Sequence, residues 1–129
     1  MKRAASRKAA RRQALYLLYQ WDLTGQELAS LYEGEPDEFA RSLAEAVSSR
    51  AEALDVRISA ASPDWPADRL GTLERNILRI GVYELEEETV PREVAINEAV
   101  VLAKRYATEE AARLVNGVLG RIAREEEAA

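Results

Sequence analysis

The chain has 129 residues, 47% of them hydrophobic and 32% charged, a net charge of −5, and neither cysteine nor histidine. That length suits one domain able to bury a core without staples. The missing residue types remove disulfides, thiolate nucleophiles, the commonest metal ligand and the usual general base near neutral pH, which argues against most enzyme chemistry and for a reducing, cytosolic setting.

Charge is unevenly spread along the first element. Six of the 18 basic residues, Lys2, Arg3, Arg7, Lys8, Arg11 and Arg12, fall in the first 21 positions with no acid among them, which leaves 12 bases against 23 acids in the remainder. Arg3, Arg7 and Arg11 recur at i, i+4, i+8 and Lys8 and Arg12 form a neighbouring row, so a helix over about 3–23 presents one broad cationic face. Alanines fill the gaps, and the register continues into Leu15, Tyr16, Leu17, Leu18, Tyr19, Trp21 and Leu23 as an apolar, aromatic rear. Such a face can neutralise phosphates with release of counterions. A solvated basic arm and a transit peptide are the competing readings, the latter without a cleavage signature.

Thr24-Gly25 closes this helix, and Gly34-Glu35-Pro36 interrupts the next segment. Residues 37–60 carry Phe39, Leu43, Ala46, Val47, Ala51, Leu54 and Ile58 at three- and four-residue spacing, which predicts one long amphipathic helix. After the loop Ser62–Pro66, Leu73, Ile77, Ile80, Val82, Tyr83 and Leu85 predict a helix from Thr72. Gly81 within it costs about 1 kcal/mol relative to Ala, for which a close helix crossing is the expected reason. Beyond Pro91, Val94, Ala95, Ala99, Val100, Leu102 and Ala103 predict a helix to Tyr106. Thr108 is the expected N-cap of a last helix through Leu114, Val115, Val118, Leu119 and Ile122, with Glu109 and Glu110 at its positive end. A solvated acidic tail over about 125–129 follows. With no strand alternation, repeat or linker, the pattern predicts a single all-α domain, residues 1–129, of about six to seven helices.

Chemistry-bearing constellations are scarce. No His or Cys can activate Ser or Thr, clustered acids read as solvated helix faces, and the six glycines form no phosphate-cradling loop, so neither catalysis, a metal nor a cofactor is expected. No apolar run approaches the ~20 residues that span a bilayer.

The strings Leu73-Glu74-Arg75-Asn76-Ile77-Leu78-Arg79-Ile80-Gly81-Val82-Tyr83-Glu84-Leu85, Val90-Pro91, Val94-Ala95-Ile96-Asn97-Glu98-Ala99-Val100, Leu102-Ala103-Lys104 and Leu114-Val115-Asn116-Gly117-Val118-Leu119 resemble the NusB family of transcription antitermination factors. With Leu18-Tyr19-Gln20-Trp21-Asp22-Leu23 they span nearly the whole chain in the family's order. Segment 26–66 is the least family-like. The resemblance implies an all-α fold of two packed helical bundles, no catalysis, and an RNA-binding subunit. It further implies that this subunit pairs with NusE, a small-subunit ribosomal protein, to bind boxA RNA of nascent ribosomal transcripts. The pair would then act on elongating RNA polymerase with other Nus factors. A homodimer that hides the basic face until NusE or RNA arrives is a third, competing reading, which the sequence leaves open. The same domain type precedes ribosomal-RNA cytosine methyltransferases; this chain carries no S-adenosylmethionine-binding region, so a stand-alone factor is the expectation.

Carried over residue by residue, the resemblance implies RNA contacts from the basic run Arg3, Arg7, Lys8, Arg11 and Arg12, from Tyr19 and from Arg113. Tyr19 either stacks on a splayed base or packs beside Trp21. Glu110 would tune RNA affinity downward. Glu74, Arg75, Leu78 and Arg79 fall on the helix that faces NusE in the family, Glu74 as a polar contact, although Arg75 and Arg79 could instead bind Glu residues within the chain. Asn97 and Asn116 are expected to be structural amides, and Gly117 a close-packing site.

Overall fold

The computed structural model describes residues 6–128, with six α-helices and no β-strand among them. Lys2 and Arg3 of the predicted basic run lie outside the described residues. The chain divides into two compact units, Met1–Arg50 and Ala51–Ala129.

The first unit is built on α1 (Arg7–Thr24) and α2 (Glu38–Ser49), with a single 3₁₀ turn at Leu28–Leu31 between them. Ser6 caps α1, its hydroxyl accepting from the Ala9 amide at 3.2 Å. Gly25 ends it in the left-handed conformation (φ 72°), its N–H bonding the Trp21 carbonyl. That is the conformation only glycine adopts without strain, as the Thr24-Gly25 pair predicts. Asp37 caps α2 by accepting from the Ala40 amide. The two helices bury Ala10, Ala14, Leu15, Leu17 and Leu18 against Ala40, Leu43, Ala44 and Val47.

The predicted continuous helix over 37–60 is interrupted. Arg50 leaves helical geometry (φ −108°, ψ 10°), and α3 (Ala51–Ala61) begins after it. The cause is local: Ser48 and Ser49 turn their hydroxyls back onto the Glu45 and Ala46 carbonyls, competing with the backbone ladder at a serine pair, a common place for a helix to break. Hydrophobic spacing continues across the break, so periodicity alone could not reveal it.

The second unit comprises α3, α4 (Thr72–Glu87), α5 (Arg92–Tyr106) and α6 (Glu109–Ala128). α4 is the central helix, touching α3, α5 and α6. It is accordingly buried over the whole run Asn76–Val82 and again at Glu84 and Leu85, the pattern of a helix covered on all sides. Gly81 permits this: a Cβ there would meet Leu119 Cδ1 of α6 at 2.5 Å. Thr108 caps α6 by accepting from the Ala111 amide at 2.9 Å.

Three sequence expectations fail in this unit. The acids at the end form no separate tail, because α6 extends to Ala128, although Glu125 and Glu127 stay exposed to solvent as expected. Glu126 there reaches Arg57 at 2.9 Å and Glu127 reaches Arg92 at 3.0 Å. Gly117 is exposed, and a Cβ added to it would find nothing within 4 Å, so it is no close-packing site. Asn97 and Asn116 are likewise exposed, on the outer faces of α5 and α6, where no packing requires an amide.

Candidate nucleic-acid interface

The basic helix keeps its cations only in part on the surface. Six positions of α1 are buried, Ala10, Arg11, Ala14, Leu15, Leu17 and Leu18, and the three- and four-residue spacings among them place Arg11 inside the apolar stripe rather than opposite it. Arg11 is 3% exposed. It is therefore a structural residue, and its assignment to RNA contact is withdrawn. Arg7 is exposed and lies over the Phe39 ring of α2, its guanidinium carbon 3.9 Å from the centroid, a cation–π contact that orients the side chain. Lys8 is exposed and Arg12 half-buried, four residues apart on the outward face. Tyr19 is half-buried on the same side.

Beside this face lies a groove of about 1000 Å³, confined to the first unit. One wall is α1, with Arg12, Gln13, Tyr16, Leu17 and Gln20; the other is the segment Leu31–Glu38 and Arg41. Tyr16 is 62% exposed, the most open aromatic ring on α1, and it was missed in the sequence because it reads as one more member of an apolar run. Its register could have shown it: it stands four residues beyond Arg12, on the side away from Leu15 and Leu18. Tyr32, on the opposite wall, donates to Glu45 Oε1 at 3.1 Å. Partial burial, reinforced by that carboxylate, pushes its hydroxyl pKa above the usual 10.

In the second unit, Arg113 and Glu110 are both exposed on the first turns of α6, three residues apart and on one side of the helix. The four residues expected to face NusE behave differently from one another. Leu78 is fully buried, at 0% exposure, and offers no surface; its assignment as a partner contact is withdrawn. Arg79 is 5% exposed and forms a bidentate pair with Asp55 at 2.7 and 2.6 Å while donating to Asn76 Oδ1. It is an internal tie between α4 and α3; the alternative reading of it as an internal pair holds, but with an aspartate and not with a Glu residue. Arg75 donates to the Ala67 and Leu70 carbonyls and so closes the turn before α4. Glu74 folds its carboxylate over Gly71 at the start of the same helix, where a negative charge is favoured. Of the four, only Glu74 and Arg75 keep partial exposure.

No described helix is long and apolar enough to cross a membrane. The sequence profile of the NusB family matches residues 8–124. A protein of Rubrobacter xylanophilus named transcription antitermination protein NusB is 42% identical over 121 residues, covering 88% of this chain and 87% of its own length. Among solved structures, T. maritima NusB aligns with a TM-score of 0.83 at 32% identity, covering 95% of this chain and 94% of that one. A chain from a complex of the antitermination factors NusB and NusE with double-stranded RNA aligns at 0.80 and 33% identity, covering 92% and 96%. With the all-α order of elements, the matched motifs and these likenesses together, the chain belongs to the NusB family.

Proposed function

We propose that the chain is a non-enzymatic RNA-binding antitermination factor that pairs with NusE on boxA RNA of nascent ribosomal transcripts and acts on elongating RNA polymerase with other Nus factors. The observation that carries this reading is the cationic surface of α1 on a chain of net charge −5: exposed Lys8 and half-buried Arg12 on its outward face, and exposed Arg7 held over Phe39 at its start. The likeness to a chain from a complex of the antitermination factors NusB and NusE with double-stranded RNA supports it. Phosphates would be held by these side chains, giving salt-dependent affinity, while unpaired bases supply selectivity. Within the second unit, taken by itself, exposed Arg113 is a candidate RNA contact on the family resemblance and Glu110 a repulsive carboxylate beside it. Of the residues on α4 assigned to NusE, half-buried Glu74 and Arg75 are the two that keep some surface for it. NusE brings its own contacts, so the pair gains by effective concentration without new chemistry.

The test is fluorescence anisotropy of a boxA-type RNA across salt concentrations with and without NusE. Sequence-selective, salt-sensitive binding that NusE strengthens is expected. Equal binding to a scrambled RNA would reduce α1 to a non-specific basic arm and overturn the reading.

A further inference from the structure

The groove beside the cationic face holds an unusual combination. Arg12, Tyr16 and Gln20 follow at i, i+4, i+8 along one wall, so a cation, an open aromatic face and an amide stand in a row on one side of α1. Tyr16 is 62% exposed, and no core packing accounts for an aromatic ring left there in water. The opposite wall runs through Glu33, Glu35, Asp37 and Glu38. A phosphate backbone is repelled from that wall and attracted to Arg12 on the α1 wall and to exposed Lys8, one turn before it on α1 and outside the groove.

We propose that Tyr16 is the stacking platform for one unpaired base of the bound RNA, the backbone following Lys8 and Arg12 while the base turns into the groove. The inference rests on the RNA-binding reading above and deepens it. Every base has a π-face, so an exposed tyrosine next to a phosphate-binding cation is the arrangement single-stranded RNA uses. Gln20 supplies an amide donor and acceptor to the base edge, and the carboxylates accept from base N–H groups without meeting a phosphate. A basic peptide is the competing occupant of an acid-lined groove, but Arg12 and Arg41 project into it from both walls and would oppose such a peptide. A nucleotide makes use of the same cations.

The experiment is anisotropy of a labelled single-stranded boxA-type RNA with the full chain and NusE, comparing the unaltered protein with Tyr16→Ala, Tyr16→Phe and Lys8→Ala. Tyr16→Ala is expected to weaken binding about 5- to 150-fold, the range for loss of one stacked base. Its salt slope should stay unchanged, because no phosphate contact is lost. Tyr16→Phe should keep the affinity, since the ring and not the hydroxyl does the stacking. Lys8→Ala should lower the salt slope by about one unit. In parallel, RNA carrying 5-iodouridine, which cross-links to stacked aromatic rings under ultraviolet light, should give a Tyr16 adduct with the unaltered protein, a readout independent of any folding defect in the variants. Full affinity in Tyr16→Ala, or adducts confined to Tyr19, overturns the stacking assignment while a flattened slope in Lys8→Ala keeps the RNA reading intact. Absence of salt-sensitive binding by the unaltered protein overturns both. Weakened binding of NusE alone by Tyr16→Ala makes the groove a protein-docking surface and likewise overturns the assignment.

Discussion

Two glycines of the second unit show how differently one residue type can be employed. At Gly81 an added methyl would sit 2.5 Å from a methyl of Leu119, which is fully buried, so Leu119 must shift within the core at an overpacking cost of about 1–3 kcal/mol. Gly117 faces open space. Urea unfolding is therefore expected to show Gly81→Ala destabilised and Gly117→Ala stabilised by about 0.4–1 kcal/mol through helix propensity and a less flexible unfolded chain. Glu110→Gln is expected to tighten boxA-type RNA binding about two- to five-fold by removing a surface repulsion. It should at the same time slightly weaken α6, which loses an acid from its first turn. Unaltered RNA affinity would place Glu110 away from the nucleic acid. Tyr32 makes a pH prediction. Its folded pKa is raised, by burial first and by Glu45 second, so its contribution to stability is complete below about pH 10 and is lost as pH rises through the folded value. Tyr32→Phe should remove that alkaline component from the unfolding midpoint measured against pH.

At the level of elements, the tie between α3 and α4 is the polar contact with most at stake. Arg79 is buried and its two bonds to Asp55 are short. Asp55→Ala leaves a guanidinium inside the unit with Asn76 as its remaining named partner, an expected loss of about 3 kcal/mol seen as a lower urea midpoint at unchanged slope. Arg57 is a contrasting case. It bridges Glu86 of α4 and Glu126 of α6, but with about a third of its side chain exposed it adds a modest, salt-screened contribution. The all-α class, the Thr108 cap and the boundaries at Thr24-Gly25 and Pro91 were legible in the sequence because these are local signals that the backbone obeys, whereas the caps Ser6 and Asp37 were not singled out. The break at Arg50 was not, since two serines competing for carbonyls leave no mark on the hydrophobic pattern. The fate of Glu126 and Glu127 was hidden for another reason: their partners Arg57 and Arg92 lie far away in sequence, and an acidic run reads as solvated until a fold brings cations to it.

For the molecule as a whole, the basic head and acidic remainder favour association steered to one place. Affinity for RNA should fall linearly in a plot of log K against log salt, and Lys8→Ala with Arg12→Ala should reduce the slope by about one unit per lost phosphate contact. Cationic character of the head was legible from composition, whereas the division of labour within it was not. An arginine at i+4 from Arg7 looks like part of a surface row until Ala10, Ala14 and Leu18 are seen to share its side of α1. This matters for genetics. In a selection for mutants defective in RNA binding, Arg11 would be recovered readily and would look, from its neighbours, like the centre of the interface. Its substitutions would act by unseating α1 from α2, so they would be suppressed by lower temperature or by second-site stabilising changes. Changes at Lys8 and Arg12 would resist such suppression, and that difference in suppressibility would sort the cations that hold the fold from those that meet the ligand.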